Sequence, residues 1–435
     1  MQPARQNPED TPVGQDTCER IVRPEEVLVR CALDEVVRQG AQELLQQAVE
    51  VEVALFTERY QYLMDDRGRR QVVRNGHRPA RSILTGAGAL QVVAPRADDR
   101  VLEQYEDRRF SSALLPPYLR KSQKLEELLP ALYLAGISTG DFRHALEALL
   151  GKDAVGLSAA TIVRLKEVWQ QDYTVFSQRD LSAKQYVYWW VDGIYFHARM
   201  EPDRPCFLVI IGAGSDGTKE LVAVETGFRE SAESWRVLLR DLKRRGLDRG
   251  PALATGDGSL GFWIALAEVS PESHPQLCWV HKTANVLDKL PNALQGKAKD
   301  MLHDISLAEI RRQADQAWER FVCTFSEKYP KAVACLSNHR EQLLAFYAYP
   351  AEHWQHIRST NVIESSFATV RLRTHRTKGC LSRSTALTMV FQLLESASTR
   401  RRRLRGFRHL PEVLAGVRYQ DGIRVALENL QAVEA

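Results

Sequence analysis

Long apolar runs are missing from this 435-residue chain. No stretch reaches the roughly 18 uncharged apolar residues that a membrane-spanning helix needs, so no span is expected. The opening, M-Q-P-A-R-Q-N-P-E-D, lacks the apolar core of a secretory signal. Cysteine is scarce and odd in number, seven in all: Cys18, Cys31, Cys206, Cys278, Cys323, Cys335 and Cys380. That scattered set excludes a disulfide framework and fits a reducing cytoplasm. The phosphate-loop pattern G-x-x-x-x-G-K-[ST] is absent as well, so nothing points to nucleotide hydrolysis. Charge of either sign is not in large excess: the net is +4.

What is there is an ordinary globular composition, 44% hydrophobic and 26% charged. It is enough for a sizeable core spread over about two to four domains. The cationic residues are unevenly placed. From Arg371 to Arg408 stand ten arginines and one lysine against a single acid, Glu395. Such a local excess points to a polyanionic partner, and its bland alternative is a solvated basic helix face.

Residues 1–22 are polar and proline-bearing and read as a disordered tail. Residues 23–100 read as two or three helices followed by a small basic module, in which R-N-G-H-R-P-A-R makes a turn and A-L-Q-V-V-A-P-R a short strand. Residues 101–178 read as a helix-turn-helix region. Lys124–Ala135 forms its first helix, Ser138 opens a second, and Ser158 caps a third that carries Arg164 and Lys166 toward DNA. The same pattern also fits any packed three-helix unit.

Residues 179–281 change period. Three strand-like runs, an amphipathic helix and a fourth strand fit a ribonuclease-H-like mixed sheet, closed by a helix Ser259–Val269 and a short strand P-Q-L-C-W-V. Residues 282–350 read as a helical insertion, residues 351–410 as the second part of the core, and residues 411–435 as a C-terminal tail. The expected fold class is therefore α+β and multidomain.

Three separated carboxylates carry the chemistry. Asp192 ends a strand of aromatic and β-branched residues, Asp257 lies between two glycines after the fourth strand, and Glu364 begins a helix led by Ser359-Thr360-Asn361. Each has a plain reading on its own, a turn-forming Asp-Gly pair or a helix-terminal acid. Together they suit divalent cations acting on a phosphodiester, with hard oxygen ligands for Mg²⁺ and two ions sharing the attacking and leaving oxygens. Arg371, Arg373, Arg376 and Lys378 follow Glu364 and are expected to grip phosphates. Cys278 and His281 form a C-x-x-H pair. A zinc site would need more ligands than the sequence offers at suitable spacing, so the pair is read as supporting the metal site. Trp189, Trp190, Trp235, Trp263 and Trp279 read mostly as core.

V-D-G-I-Y-F-H-A-R, T-G-D-G-S-L-G-F, Q-L-C-W-V-H-K-T-A-N-V-L and S-T-N-V-I-E-S-S-F-A-T-V-R-L-R-T, in that order, resemble the signatures of Mutator-type bacterial insertion-sequence transposases. R-N-G-H-R-P-A-R-S-I-L-T, G-I-S-T-G-D-F and L-P-E-V-L-A-G-V-R-Y-Q-D-G extend the likeness to residues 25–425, with Gly140 standing where a basic residue is expected. The resemblance implies a DDE triad at Asp192, Asp257 and Glu364, two Mg²⁺ ions with Mn²⁺ able to replace them, and the C-x-x-H pair at Cys278 and His281. It also implies cleavage at terminal inverted repeats and joining of 3′-hydroxyl ends to other DNA. The partner is then double-stranded DNA, engaged by a homodimer or larger assembly in the bacterial cytoplasm at the nucleoid. The alternative is a catalytically silent DNA-binding regulator descended from such an enzyme. A two-carboxylate glycosidase leaves the arginine-rich stretches without a purpose.

Overall fold

The computed structural model describes residues 24–105, 109–122, 125, 159–195, 205–258, 261–376, 382–398 and 401–425. The first and second helices of the expected helix-turn-helix, the Ser158 cap, Lys378 and the N-terminal tail lie outside them. The chain divides into two compact units, residues 1–129 with 140–156, and residues 130–139 with 157–435.

The first unit opens with one helix, α1 (Pro24–Arg59), where the sequence suggests two or three. Gly40 does not break it. A lone glycine costs a helix only about 1 kcal/mol, and a Cβ there would touch nothing within 4 Å. Strands β1 (Val73–His77) and β4 (Pro95–Asp98) pair antiparallel, as do β2 (Arg81–Thr85) and β3 (Gly88–Val92). R-N-G-H is thus part of a strand and not a turn. Val49 of α1 packs on Ile83, Val92 and Leu115.

The second unit begins with α2 (Ala159–Gln178), followed by β5 (Tyr186–Tyr195), β6 (Cys206–Gly214) and β7 (Lys219–Gly227). Then come α3 (Ala232–Arg244), β8 (Leu253–Gly256), α4 (Phe262–Val269) and β9 (His274–Leu277). The five strands form one mixed sheet in the order β7-β6-β5-β8-β9. The first three run antiparallel, while β8 and β9 continue parallel to β5. β5 and β6 are apolar at nearly every position because both faces of the sheet are covered. Trp189, Val191, Leu208 and Ile210 face α3 and α4, meeting Trp235, Leu239 and Phe262. Trp190, Phe207, Val209 and Ile211 face the opposite layer of helices.

α3 shows why such a layer forms. Trp235, Leu238, Leu239 and Leu242 recur at helical spacing and are buried. Ser231 caps the helix, its hydroxyl accepting the Ser234 N–H at 3.3 Å.

After β9 the chain is helical: α5 (Trp279–Leu287), α6 (Asn292–Ser306), α7 (Arg311–Phe325), α8 (Pro330–Ser337) and α9 (Arg340–Leu344). Short turns lead to α10 (Trp354–Ile357), α11 (Asn361–Arg376) and α12 (Arg383–Ser398). Trp279 and Val280, expected to end a strand, instead open α5. Helix α2 belongs to this unit: the Tyr173 and Phe176 rings meet Phe391 of α12 with centroids 5.7 and 4.7 Å apart. Residues 411–425 are not a tail. α13 (Leu410–Leu414) and the hairpin β10 (Tyr419–Gln420) and β11 (Ile423–Arg424) fold back, burying Tyr419. Among the described residues no helix is long and apolar enough to cross a membrane.

Candidate functional site

Asp192 lies near the end of β5, opposite Val209 of β6, and is 9% exposed. β5 and β8 are in parallel register with Trp190 beside Thr255. Two residues further along each chain, Asp192 and Asp257 come level at the same end of the sheet. Each carboxylate accepts the N–H of the glycine that follows it, Gly193 at 2.8 Å and Gly258 at 2.6 Å. The Asp257 carbonyl takes the Trp263 indole N–H at 2.7 Å, tying the loop to α4.

Glu364 is brought to this end by the segment before α11. Thr255 donates its hydroxyl to the Ile357 carbonyl at 2.6 Å, and Trp190 donates its indole N–H to the His356 carbonyl at 2.8 Å. The Trp279 N–H bonds the Arg358 carbonyl at 3.0 Å. The turn leading into α11 is therefore fastened to β5, β8 and α5 at once. Within that turn the Thr360 hydroxyl sits 2.8 Å from Glu364 Oε1 and 3.2 Å from Cys278 Sγ, which also accepts the Thr360 N–H at 3.3 Å. His281 Nε2 lies 3.6 Å from Glu364 Oε1. The C-x-x-H pair and the third carboxylate thus form one group, with donor atoms of Cys278, His281 and Glu364 all within 4.8 Å of one another.

The charges are crowded. Burial pushes the Asp192 carboxyl up to about 6; Glu364 and Asp257 add to the rise, while the Gly193 N–H and His281 oppose it. His281 is raised to about 9, chiefly by the Cys278 thiol beside it, with Asp257 and Asp192 contributing. For Cys278, burial acts to raise the thiol, but His281 and Thr360 outweigh it and the net shift is downward. A residue without a sequence signal joins them. Burial and the charges of Asp192 and Asp257 raise Glu230, in the turn between β7 and α3, to about 7. Its only trace in the sequence is an acid standing just before the Ser231 cap. Thr360, in the sequence only part of the lead into the helix, is in the structure the link between Cys278 and Glu364.

The basic residues do not all share a face. Arg371 is exposed, whereas Arg373 is 2% exposed and cannot grip a phosphate from that position. At about 100° per residue, seven positions bring Arg371 back over Glu364 and nine turn Arg373 to the far side, into the core. Arg376 ends α11, and Arg164 is exposed with Lys166 half-buried on α2. Trp189, Trp190, Trp235 and Trp279 are core, as expected, and Trp263 is half-buried.

Fold and site together define an α/β protein that gathers carboxylates at one end of a mixed sheet, beside a helix with an exposed arginine. Comparison with known proteins carries the class further. The family model described as Transposase, Mutator family, matches residues 15–400. The chain belongs to the Mutator family of transposases. It is 50% identical over 298 residues to the transposase for insertion sequence element IS6120 of Mycolicibacterium smegmatis, covering 68% of this chain and 92% of that one. It is 48% identical over 288 residues to the transposase for insertion sequence element IST2 of Acidithiobacillus ferrooxidans, covering 65% and 95%. The transposase for IS256 in transposon Tn4001 of Staphylococcus aureus is 28% identical over 309 residues, covering 70% and 75%.

Proposed function

We propose that this chain is the transposase of a mobile element, binding the element's terminal inverted repeats, cutting there and joining the freed 3′-hydroxyl ends to target DNA. The observation that carries the reading is the convergence of Asp192, Asp257 and Glu364 at one end of the sheet. The strand order, three antiparallel strands followed by two parallel ones, supports a ribonuclease-H-like core with residues 282–350 as its helical insertion.

The donor set fits divalent metal. It offers hard carboxylate oxygens, with Asp192 buried at 9% exposure and Asp257 level with it at the same end of the sheet. Asp192, Asp257 and Glu364 would hold two Mg²⁺ ions, with Mn²⁺ as a substitute. The chemistry such ions supply is activation of the attacking oxygen and stabilisation of the leaving one. The protein's own groups do the rest. Cys278, His281 and Thr360 fix the position of the Glu364 carboxylate. Arg371, about 10 Å along the helix from Glu364, meets the phosphates that flank the reacting one, with Arg376, Lys378, Arg164 and Lys166 extending the contact. Water is the nucleophile in cleavage and a 3′-hydroxyl in joining, so no covalent protein–DNA intermediate forms. The working unit is a homodimer or larger assembly on DNA in the bacterial cytoplasm.

The test is incubation with duplexes made from the DNA flanking the gene, with and without Mg²⁺. Nicking at the repeat ends, dependent on metal and absent with Asp257→Asn, is the expected result. Binding without nicking under all metal conditions would make the chain a DNA-binding regulator instead.

A further inference from the structure

Helix α1 carries apolar residues on two sides, and the strands of its own unit cover one of them. On the covered side Val49 and Val53 are each 1% exposed. Gln42, Gln46, Glu50 and Glu52 reach from there to the Gln91 and Val93 N–H groups, Arg74 and Ser112. Turned the other way are Val37, Leu44, Val51 and Leu55, 52–68% exposed, with Ala41 and Ala48 half-buried between them. Apolar surface gathered on one face of a folded unit marks a place of contact.

The spacing of that face is regular. Val37, Leu44 and Val51 follow one another at sevens, as do Ala41, Ala48 and Leu55, and the two series interleave at steps of three and four. This is the a and d seam of a heptad repeat, the pattern that holds a second helix along its length. The next positions of the two series, Asp34 and Glu58, are acids and end the seam.

The residues at those positions also say which helix fits. Two copies of α1 laid antiparallel about a two-fold axis near residue 46 set Val37 against Leu55, Ala41 against Val51 and Leu44 against Ala48, each pair occurring twice. Every alanine then faces a branched side chain. In a parallel pair the alanines would face one another and leave gaps that close packing does not tolerate. The rim agrees: antiparallel, Arg38 of one copy comes level with Glu52 of the other, opposite charges, and Gln47 meets Gln47. Such a contact is isologous, the commonest way for identical chains to close. Its length of about 30 Å lies at the small end of specific interfaces, so it joins two chains reversibly.

We propose that a second copy of this chain docks on this face, α1 against α1 and antiparallel, and that the seam is the surface through which the chain self-associates. The proposal rests on the working unit being a homo-oligomer, and it adds the surface that joins the copies.

The test is sedimentation equilibrium of the full chain over a range of concentrations, alone and with a duplex from the DNA flanking the gene. The wild type is expected to self-associate weakly alone and more tightly on DNA. Leu44→Glu is expected to weaken self-association by about a hundredfold or more, because a two-fold seam meets the substitution twice. The unfolding midpoint of the dilute protein should stay unchanged, since Leu44 is exposed in the single chain. Val37→Lys makes the same comparison if Leu44→Glu fails to fold. Mixed Val37→Cys and Leu55→Cys chains, oxidised and digested, should yield a disulfide between positions 37 and 55, identified by mass spectrometry. A disulfide joining position 37 to position 37 instead would overturn the antiparallel seam. Self-association of Leu44→Glu and Val37→Lys at wild-type strength would overturn the seam and leave the oligomer standing. A wild type that stays monomeric both alone and on DNA would overturn both.

Discussion

Asp192 is nearly enclosed, yet its carboxyl faces two other acids and one histidine. Removing its charge while keeping its volume isolates what that charge does. Asp192→Asn, Asp257→Asn and Glu364→Gln are each expected to reduce cleavage and joining by more than about a hundredfold, the upper range for losing a group one bond further from a metal. DNA affinity should stay close to wild type, and gel-shift and cleavage assays on one duplex separate the two effects. Substantial cutting by any of the three variants removes that residue from the site. Cys278 is tested differently. Its sulfur meets the Thr360 N–H and hydroxyl, and Thr360 in turn meets Glu364, so Cys278→Ser should fold normally and lower activity by loosening Glu364. Metal analysis of the purified chain accompanies it. One tightly held zinc per chain, lost in Cys278→Ser, would show that Cys278 is itself a ligand, with His281 and Glu364 beside it.

At the scale of elements, what was legible followed burial. β5 and β6 announced themselves because both of their faces are covered and their residues are almost all apolar. The Asp-Gly pairs stood out because a polar residue at the end of such a strand needs a reason. β1 was invisible because all of its residues are exposed, leaving no alternation to read. The β10–β11 hairpin did have a signal, Asp421-Gly422, both at positive φ, the two-residue turn that right-twisted hairpins favour. Glu230 left only an acid before the Ser231 cap, since its side chain lies against Gly193, a residue distant in the chain.

The segment holding α11 also makes a pH prediction. His356 Nε2 accepts the Arg405 N–H at 3.1 Å, and burial, with Lys219, His353 and Arg405 nearby, lowers the ring to about 4. A histidine kept neutral by folding contributes stability above its unfolded value of about 6.5, and that contribution is lost as pH falls toward 4. The unfolding midpoint should decline across that window, and His356→Gln, which keeps an acceptor at the tip, should flatten the decline. An unchanged acid limb would assign the loss to other groups.

The whole molecule divides at a place the periodicity of α2 does not reveal. As a sequence, residues 159–178 look like the last helix of a DNA-reading module, which suggests separating the chain at residue 178. In the structure Tyr173 and Phe176 cover Phe391, and the Tyr173 hydroxyl lies 2.9 Å from Glu225 Oε2. Cutting after residue 178 would strip that cover and expose aromatic surface that folding had removed from water, at about 25 cal/mol for each Å². A fragment of residues 130–435 should therefore unfold cooperatively near the midpoint of the full chain. A fragment of residues 179–435 should unfold at a lower temperature or aggregate, as read by circular dichroism and light scattering. The larger fragment should also keep a salt-dependent affinity for any duplex, because phosphate contacts position a protein without reading sequence. If it neutralises about six to ten phosphates, log K falls against log[salt] with a slope near −0.9 per contact. Equal stability of the two fragments would show that α2 is dispensable to the second unit. A slope near zero would place the DNA-binding charge elsewhere in the chain.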